Sequence, residues 1–519
     1  MLTYDARFIA LFYPLLLLLF WMAGRRSPGA AVSILLAASA VFYALADTAH
    51  APLIAATTIL NFAIGLALTR ASDRRAGHWT AAGIVLNVAC LAFYKYWSAP
   101  GLSPGTTPAA GVIQTGLPLG LSFFILKQIS WFSDIRTARP GPLGARDLPR
   151  FALYSIFFPQ MIAGPVYRFR DAAADYATLG KKPLGLSSLA VGLSVFAVGL
   201  AKKLLLADPL GTVASPVFDA VAAGHDPGLA EAWIGAWAYS LQLYFDFSGI
   251  SDMALGIGLT VGLRLPINFY SPFKARRGSE FFDRWHISLV IFVRTYLFSP
   301  ILRLVRRHAS GTAAVRTMKA TATATLVSLT LVGWWHGAKA TFVLSGLLAG
   351  LGSVALQLAA FRQASTKRRG GARTPSSVSR VLLMLAVIGF GILFRSQDLR
   401  AAGEMLLGLA GLSGAAGSTA LLPALGQLAG ESAFHLATPV PGGGLLVMAA
   451  ATAIAFGAPN TVQIFRLYDH PGAPQPEGGA RTGAHLPHVR WALAAGLFVA
   501  LALMQAVNGD LQGTIYARF

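Results

Sequence analysis

Two histidines stand where they could do chemistry, and each directly follows a tryptophan. His336 lies in Gly333-Trp334-Trp335-His336-Gly337-Ala338, at the end of a long, nearly uncharged apolar tract. His286 lies in Arg284-Trp285-His286-Ile287-Ser288. A neutral histidine in a low-dielectric site can take a proton from a hydroxyl at neutral pH. Ionisable side chains are expensive inside a bilayer, and Gly333 and Gly337 allow close approach of another group to His336. The competing reading is a buried histidine in a purely structural role. The residues alone leave both open. The chain has no His-Glu-X-X-His or paired-cysteine spacing, so no metal site and no bound cofactor are expected.

Other polar residues interrupt apolar sequence at two further places. Residues 242–286 carry Asp246 and Asp252 in a strongly apolar context. Asp252 suits the cap of a helix beginning after it. Ser279, Glu280 and Asp283 read as a helix N-terminal signal. Between them, Lys274, Arg276 and Arg277 suit a phosphate-rich donor, or mark the topology of a cytoplasmic loop. The other place is 157–171, FFPQMIAGPVYRFRD, where Pro159, Gly164 and Pro165 break an apolar run. Such a break is tolerated at membrane depth where the backbone lines a cavity or is buried in protein. An ordinary loop is the alternative.

The elements that must position these residues are spanning helices. Hydrophobic residues make up 55% and charged residues 12% of 519 positions. Soluble domains carry about 25% charged residues, so this chain cannot cover a water-facing surface and the bilayer is its solvent. Apolar runs near 8–24, 29–47, 52–70, 80–97, 117–133, 187–206, 230–247, 318–335, 340–361, 378–395, 443–458 and 489–507 predict roughly 11 to 13 spans by the length rule. Shorter runs near 151–166, 250–263, 287–302 and 401–412 read as re-entrant or interfacial. The fold class is therefore an all-α polytopic bundle. A β-barrel needs alternating segments, which runs such as LFYPLLLLLFWMA lack.

Charge sets the orientation. Arg25 and Arg26 follow the first run, Arg70, Arg74 and Arg75 the third, and Arg136, Arg139, Arg146 and Arg150 the fifth. The loops 47–51 and 98–116 have no Lys or Arg. This alternation places the N-terminus outside and the basic loops inside. The clusters at 274–277, 303–307 and 367–373 then lie inside as well, so the run 287–302 has both ends cytoplasmic and is not expected to cross. The net charge of +21 is this topology marking, and no nucleic-acid partner is expected. Cys90 is the single cysteine, which excludes an internal disulfide. The first run lacks a basic leader and a cleavage site, so it reads as a retained helix. No phosphate-binding Gly-X-X-X-X-Gly-Lys loop and no Gly-X-Ser-X-Gly nucleophile motif occurs, which argues against an ATP-driven pump and a serine hydrolase.

In order along the chain, LPLGLSFFILKQISWFSD (117–134), FFPQMIAGPVYRFRD, DFSGISDMALGIGL with LPINFYSPFKA, RWHISL and WWHGA resemble the membrane-bound O-acyltransferase family. The likeness is to its bacterial branch serving alginate O-acetylation and teichoic-acid D-alanylation. It is strong over residues 90–350, and the terminal Ile515-Tyr516-Ala517-Arg518-Phe519 is similar to the family's aromatic end. With no internal repeat and polar, Gly/Pro-rich interruptions only at 412–442 and 469–487, the chain reads as one integral domain over 1–519, with residues 365–519 more loosely tied to the chemistry. The resemblance implies His336 as the catalytic histidine in a tunnel and His286 as the second motif histidine near the cytoplasmic mouth. Tyr244, Asp246, Asn268 and Trp335 are candidate lining groups. It implies a cytoplasmic thioester donor, with acetyl-CoA the donor in acetylating members and an acyl carrier in alanylating ones. The acyl group passes across a bacterial inner membrane towards an exopolysaccharide, with a separate periplasmic acyltransferase as partner. The chain departs from the pattern at Ala340 and Ser345, where tryptophans are usual, and at Val290, Phe292 and Thr295, where Ser, Trp and Asp are common. A different tunnel wall is expected. D-alanyl transfer is the alternative activity. A transporter or flippase is a further one, although it would be built on inverted repeats, which the sequence does not show.

Overall fold

The computed structural model describes residues 2–97, 116–181, 185–365, 376–413 and 443–474. These residues are helical nearly throughout, with no strand beyond an isolated bridge between Phe269 and Trp285. In chain order the helices are α1 (Tyr13–Arg26), α2 (Pro28–Ala46), α3 (Ala51–Arg70), α4 (Asp73–Ala92), α5 (Leu121–Ala138), α6 (Leu148–Ile156), α7 (Phe158–Met161), α8 (Phe169–Thr178), α9 (Leu186–Ala201) and α10 (Asp208–Ala222). They continue as α11 (Leu229–Val261), α12 (Gly278–Phe282), α13 (Ile287–Val293), α14 (Ser299–His308), α15 (Ala313–His336), α16 (Ala340–Ser365), α17 (Ser376–Arg395), α18 (Leu399–Leu409), α19 (Gly443–Gly457) and α20 (Thr461–Phe465).

Among the described residues, seven helical runs are long and apolar enough to cross a membrane, against the roughly 11 to 13 expected from length. They are Pro28–Ala46, Ala51–Arg70, Asp73–Tyr96, Leu186–Ala222, Ile287–His308, Ala340–Arg362 and Ser377–Arg395. Two shorter apolar helices, Phe8–Gly24 and Gly443–Gly457, accompany them. The expected spans at 117–133, 230–247 and 318–335 fall on α5, α11 and α15, which bury polar side chains such as Lys127, Asp246 and Ser328. The expected span 489–507 lies outside the described residues. Leu11, Leu15, Leu18, Ile59, Val85, Leu356 and Val381 are exposed on their helices. Lipid is the solvent that makes such surfaces stable.

Four local expectations are corrected. The runs 230–247 and 250–263 are not separate: both lie on α11, 33 residues and about 50 Å long at 1.5 Å per residue. Asp252 is consequently no helix cap. It is buried within α11, where its Oδ2 accepts from Lys202 Nζ and Thr461 Oγ1, both at 2.6 Å. Residues 279–283 cap no helix N-terminus: they form the five-residue α12 and its C-terminal end, and neither α12 nor α13, which starts at Ile287, has a side-chain cap. The run 287–302 also extends further than expected. A continuous helix reaches His308, with Arg306 and Arg307 in its last turn, and it is long and apolar enough to cross.

The described chain groups into two compact units. The first comprises Met1–Lys203, Phe247–Asn268 and Asn460–Arg518. Here the 157–171 break is a buried platform rather than an open loop. Pro159 has no N–H to bond back to α6 and its ring would clash with the preceding turn of a continuous helix, so the chain breaks at Phe157 between α6 and α7. The freed Phe158 N–H donates to Ser39 Oγ on α2 at 3.3 Å. Gln160 then holds the bend: its amide donates to Pro165 O at 3.1 Å and its carbonyl accepts from Lys127 Nζ at 3.2 Å. Gly120, at φ +71°, lies against the Met161 carbonyl where any Cβ would collide. The N-terminus of α8 is met from α5, with Phe169 N–H on Ser130 Oγ at 3.1 Å and Arg170 N–H on Asp134 Oδ2 at 2.9 Å. The two motif stretches 117–134 and 157–171 therefore build one scaffold.

The second unit comprises Leu204–Asp246 and Phe269–Pro459. Its core is the α15–α16 hairpin, joined by α14, α17 and α18. Gly333 and Gly346 let α15 and α16 touch: a Cβ on Gly333 would strike the Phe342 carbonyl, and one on Gly346 the Leu329 carbonyl.

Candidate active site

Both motif histidines belong to the second unit. His336 is the last residue of α15 and is 7% exposed. Three rings surround it. Trp335 lies at 4.9 Å between centroids, Phe394 at 4.8 Å and 74°, and Phe342 at 6.3 Å. Phe342 and Phe394 also meet each other at 5.1 Å. The imidazole thus sits in an aromatic cup made by the ends of α15 and α17 and the start of α16. Trp334, by contrast, points outward and is 46% exposed.

His286 reaches the same neighbourhood by another route. The segment 269–286 folds back on itself, with Tyr270 N–H donating to Arg284 O at 3.0 Å and Phe269 bridged to Trp285. Arg284 reinforces the turn, pairing with Glu280 at 2.7 Å and covering the Tyr270 ring at 5.6 Å. The turn delivers His286 in the left-handed region at φ +46°, 3% exposed, immediately before α13. For a residue with a Cβ that conformation costs about 1–2 kcal/mol, so the surrounding contacts hold it there. The fold places His286 within electrostatic range of His336.

The other expected site residues divide. Trp335 packs on His336. Tyr244 packs on the His286 segment, 5.6 Å from Phe269, 5.3 Å from Phe273 and 6.3 Å from Trp285. Asp246 is buried two residues further along α11. Asn268 belongs to the first unit, where it donates to Ser251 Oγ at 2.9 Å. Lys274 donates to the carbonyls of Ala458 at 2.7 Å and Gly457 at 3.4 Å, which matches a cation to the C-terminal end of α19. Arg276 and Arg277 are exposed.

Phe342 and Phe394 were missed from sequence. Their type carries no reactivity, and only the packing of α16 and α17 onto the end of α15 reveals them.

The family model for membrane-bound O-acyltransferases matches residues 72–394, more than half of the chain and every candidate site residue. The chain belongs to the membrane-bound O-acyltransferase family. It is a multi-pass membrane O-acyltransferase, and the strong likeness expected over 90–350 lies wholly inside the matched region. Among its relatives is the probable alginate O-acetylase AlgI of Pseudomonas syringae pv. tomato, 33% identical over 77% of this chain and 73% of that protein. The peptidoglycan O-acetyltransferase of Helicobacter pylori is 31% identical over 73% of this acyltransferase and 74% of its own length. The teichoic acid D-alanyltransferase of Streptococcus thermophilus is 27% identical over 46% and 56% respectively.

Proposed function

We propose that the protein transfers an acetyl group from acetyl-CoA on the cytoplasmic side to an acceptor hydroxyl presented from the other side of a bacterial inner membrane, serving O-acetylation of an extracytoplasmic polysaccharide. The observation that carries this is the burial of His336 in an aromatic cup of Trp335, Phe342 and Phe394. His336 takes the proton from the acceptor hydroxyl. The oxygen attacks the thioester carbonyl, a C–O bond forms, the C–S bond breaks, and the proton passes to the departing thiolate to give free CoA. Positioned base assistance of this kind contributes roughly 10²–10⁴-fold, and dry surroundings protect the thioester from hydrolysis.

Sidedness follows from charge. The start of α15 carries Arg316 and Lys319 behind the cluster Arg303, Arg306 and Arg307, which the positive-inside rule places in the cytoplasm. Its 24 residues span about 36 Å, so His336 faces the far side. The alternation of basic loops at 25–26, 70–75 and 136–150 with the loops 47–51 and 98–116, free of Lys and Arg, supports a periplasmic N-terminus, and a separate periplasmic transferase is the fitting partner for delivery to the polymer.

Acetyl is preferred over D-alanyl because the likeness to the named O-acetylating relatives covers more of the chain at higher identity. The test is release of free CoA from acetyl-CoA by purified protein in nanodiscs, for wild type and His336→Ala. Turnover lost in the variant with an unchanged melting curve supports the reading. Equal turnover in both returns His336 to a structural role. Turnover of a D-alanyl carrier thioester and not of acetyl-CoA selects the alternative.

A further inference from the structure

Between Asp283 and Asp398 the chain carries fifteen Lys and Arg residues and no Asp or Glu. Carboxylates from the flanks or from remote sequence reach three of them: Glu280 pairs with Arg284 at 2.7 Å, Asp283 with Arg294 at 3.3 Å and Asp219 with Arg395 at 2.9 Å. The hairpin of α14 and α15 has no such compensation. Arg303, Arg306 and Arg307 on α14 and Arg316 and Lys319 on α15 are exposed. None of the five has a carboxylate within ion-pair distance among the described residues. The turn keeps their charges together. Gly311, at φ +109°, reverses the chain, Thr312 caps α15 by accepting from Val315 N–H at 3.4 Å, and Lys319 Nζ reaches back to the Ser310 carbonyl at 3.4 Å. Like charges at helical spacing repel, and a counter-anion from outside the chain relieves them.

The shape of α14 says which anion fits. Arg303, Arg306 and Arg307 fall at i, i+3 and i+4 on one side of the helix, and Ile301, Leu304 and Val305 fall at the same spacing on the opposite side. Ile301 and Val305 are half-buried, whereas Leu304 is 60% exposed. A basic face set against an open apolar edge, at the end of a long apolar run, is the pattern of a helix at the headgroup boundary. The apolar edge enters the acyl region and the guanidinium groups stay among the phosphates, which their planar forks grip with two hydrogen bonds. A soluble phosphate would meet the arginines and leave Leu304 in water. An anionic phospholipid satisfies both faces.

We propose that the α14–α15 hairpin is a binding surface for anionic phospholipid of the cytoplasmic leaflet, with Arg303, Arg306 and Arg307 on the headgroup phosphates and Leu304 against the acyl chains. This rests on the sidedness argued above and not on which acyl group is transferred. Arg316 and Lys319 add their charge from the first turns of α15. That helix begins in this surface and ends at His336, so lipid held here braces the element that carries the histidine at its other end.

The experiment is equilibrium binding of short-chain phosphatidylglycerol to the full chain in neutral detergent, with short-chain phosphatidylcholine as control. Wild type is expected to prefer phosphatidylglycerol. Each basic residue near an anionic surface contributes roughly fivefold, so combining Arg303→Gln, Arg306→Gln and Arg307→Gln should weaken binding on the order of a hundredfold. Changing the same three to Lys should retain most of the affinity, and Leu304→Gln should reduce it. If the triple Gln variant melts early without lipid, Arg306→Gln alone is read, with a roughly fivefold loss expected. Equal binding of the two lipids by wild type, or unchanged affinity in the Gln variants, overturns the surface. So does an equal loss on combining Arg74→Gln, Arg75→Gln and Arg146→Gln, which would mean diffuse attraction to any basic loop. Coenzyme A forms a second arm. If it loses as much affinity as the lipid does in the triple Gln variant, the arginines hold the donor's phosphates and the proposal fails. Binding in detergent is read without turnover and without regard to side. Failure of the acetyl-transfer reading would show separately, as CoA release that His336→Ala does not reduce, and failure of the sidedness as labelling of Ser310→Cys from the periplasm.

Discussion

The His336 imidazole meets the Phe394 ring nearly edge-on, 4.8 Å between centroids at 74°. The contact joins the last residue of α15 to the penultimate residue of α17. It fixes the plane of the imidazole without offering it a hydrogen bond, which leaves the ring nitrogens to other groups.

That contact predicts a split effect. Phe394→Leu keeps an apolar side chain but removes the edge-to-face pairing, worth about 1 kcal/mol. The proposed acetyl transfer should fall roughly fivefold in kcat, with a small change in melting temperature. His336→Ala should lose 10²–10⁴-fold, the usual contribution of a general base. CoA release under saturating acetyl-CoA measures both.

His286 tests whether backbone or imidazole matters there. Its left-handed conformation, φ +46°, suits glycine and penalises β-branched residues. His286→Gly should therefore stay within about 1 kcal/mol of wild type, whereas His286→Val should be destabilised by about 2 kcal/mol or more. Thermal melting in detergent separates them. Similar melting of both variants would show that the turn relaxes around residue 286.

Lys202 and Asp252 form a buried pair at 2.6 Å, shared with Thr461. Removing one member leaves the other charged and desolvated, which costs about 3–5 kcal/mol. Asp252→Leu should be strongly destabilised, and adding Lys202→Met should restore most of the loss. A double variant no more stable than the single one would show that Thr461, and not the missing charge, dominates.

His470 predicts a pH dependence for the segment after α20. Its Nδ1 lies 2.7 Å from the Leu265 carbonyl, to which it donates, and Nε2 is buried with no partner among the described residues. Burial lowers its pKa from the ordinary 6.5. The Leu265 hydrogen bond, Asp469 and Asp175 pull the other way, while Arg264 adds to the lowering. The unfolded segment thus binds a proton before the folded one does. Stability from this contact is present above the ordinary value and is lost as pH falls through the folded value. Melting curves taken from about pH 7.5 downward should show wild type losing more stability than His470→Gln. Parallel curves would show that the segment is not held by this imidazole.

Several of these residues were readable before any folding was considered. The poverty of charge dictated helices in lipid, because only helices and closed barrels satisfy their backbone there. The order of the motifs pointed to the acyltransferase family, and the expense of an ionisable group in apolar sequence singled out His286 and His336. Asp252 was singled out for the same reason but given the wrong role. The sequence shows an acid beside a Gly-containing run, and cannot show that Lys202 and Thr461 arrive from remote segments to neutralise it.

Tertiary structure alone decided the rest. Hydropathy is a property of each segment, whereas a site is a property of which helix ends meet. Nothing in Phe342 or Phe394 marks them as walls around His336 until the glycine contact of α15 with α16 and the packing of α17 close the cup. Composition and pattern fixed the solvent, the helices and the two histidines. Packing fixed their partners, because a contact energy exists only once remote side chains share a surface.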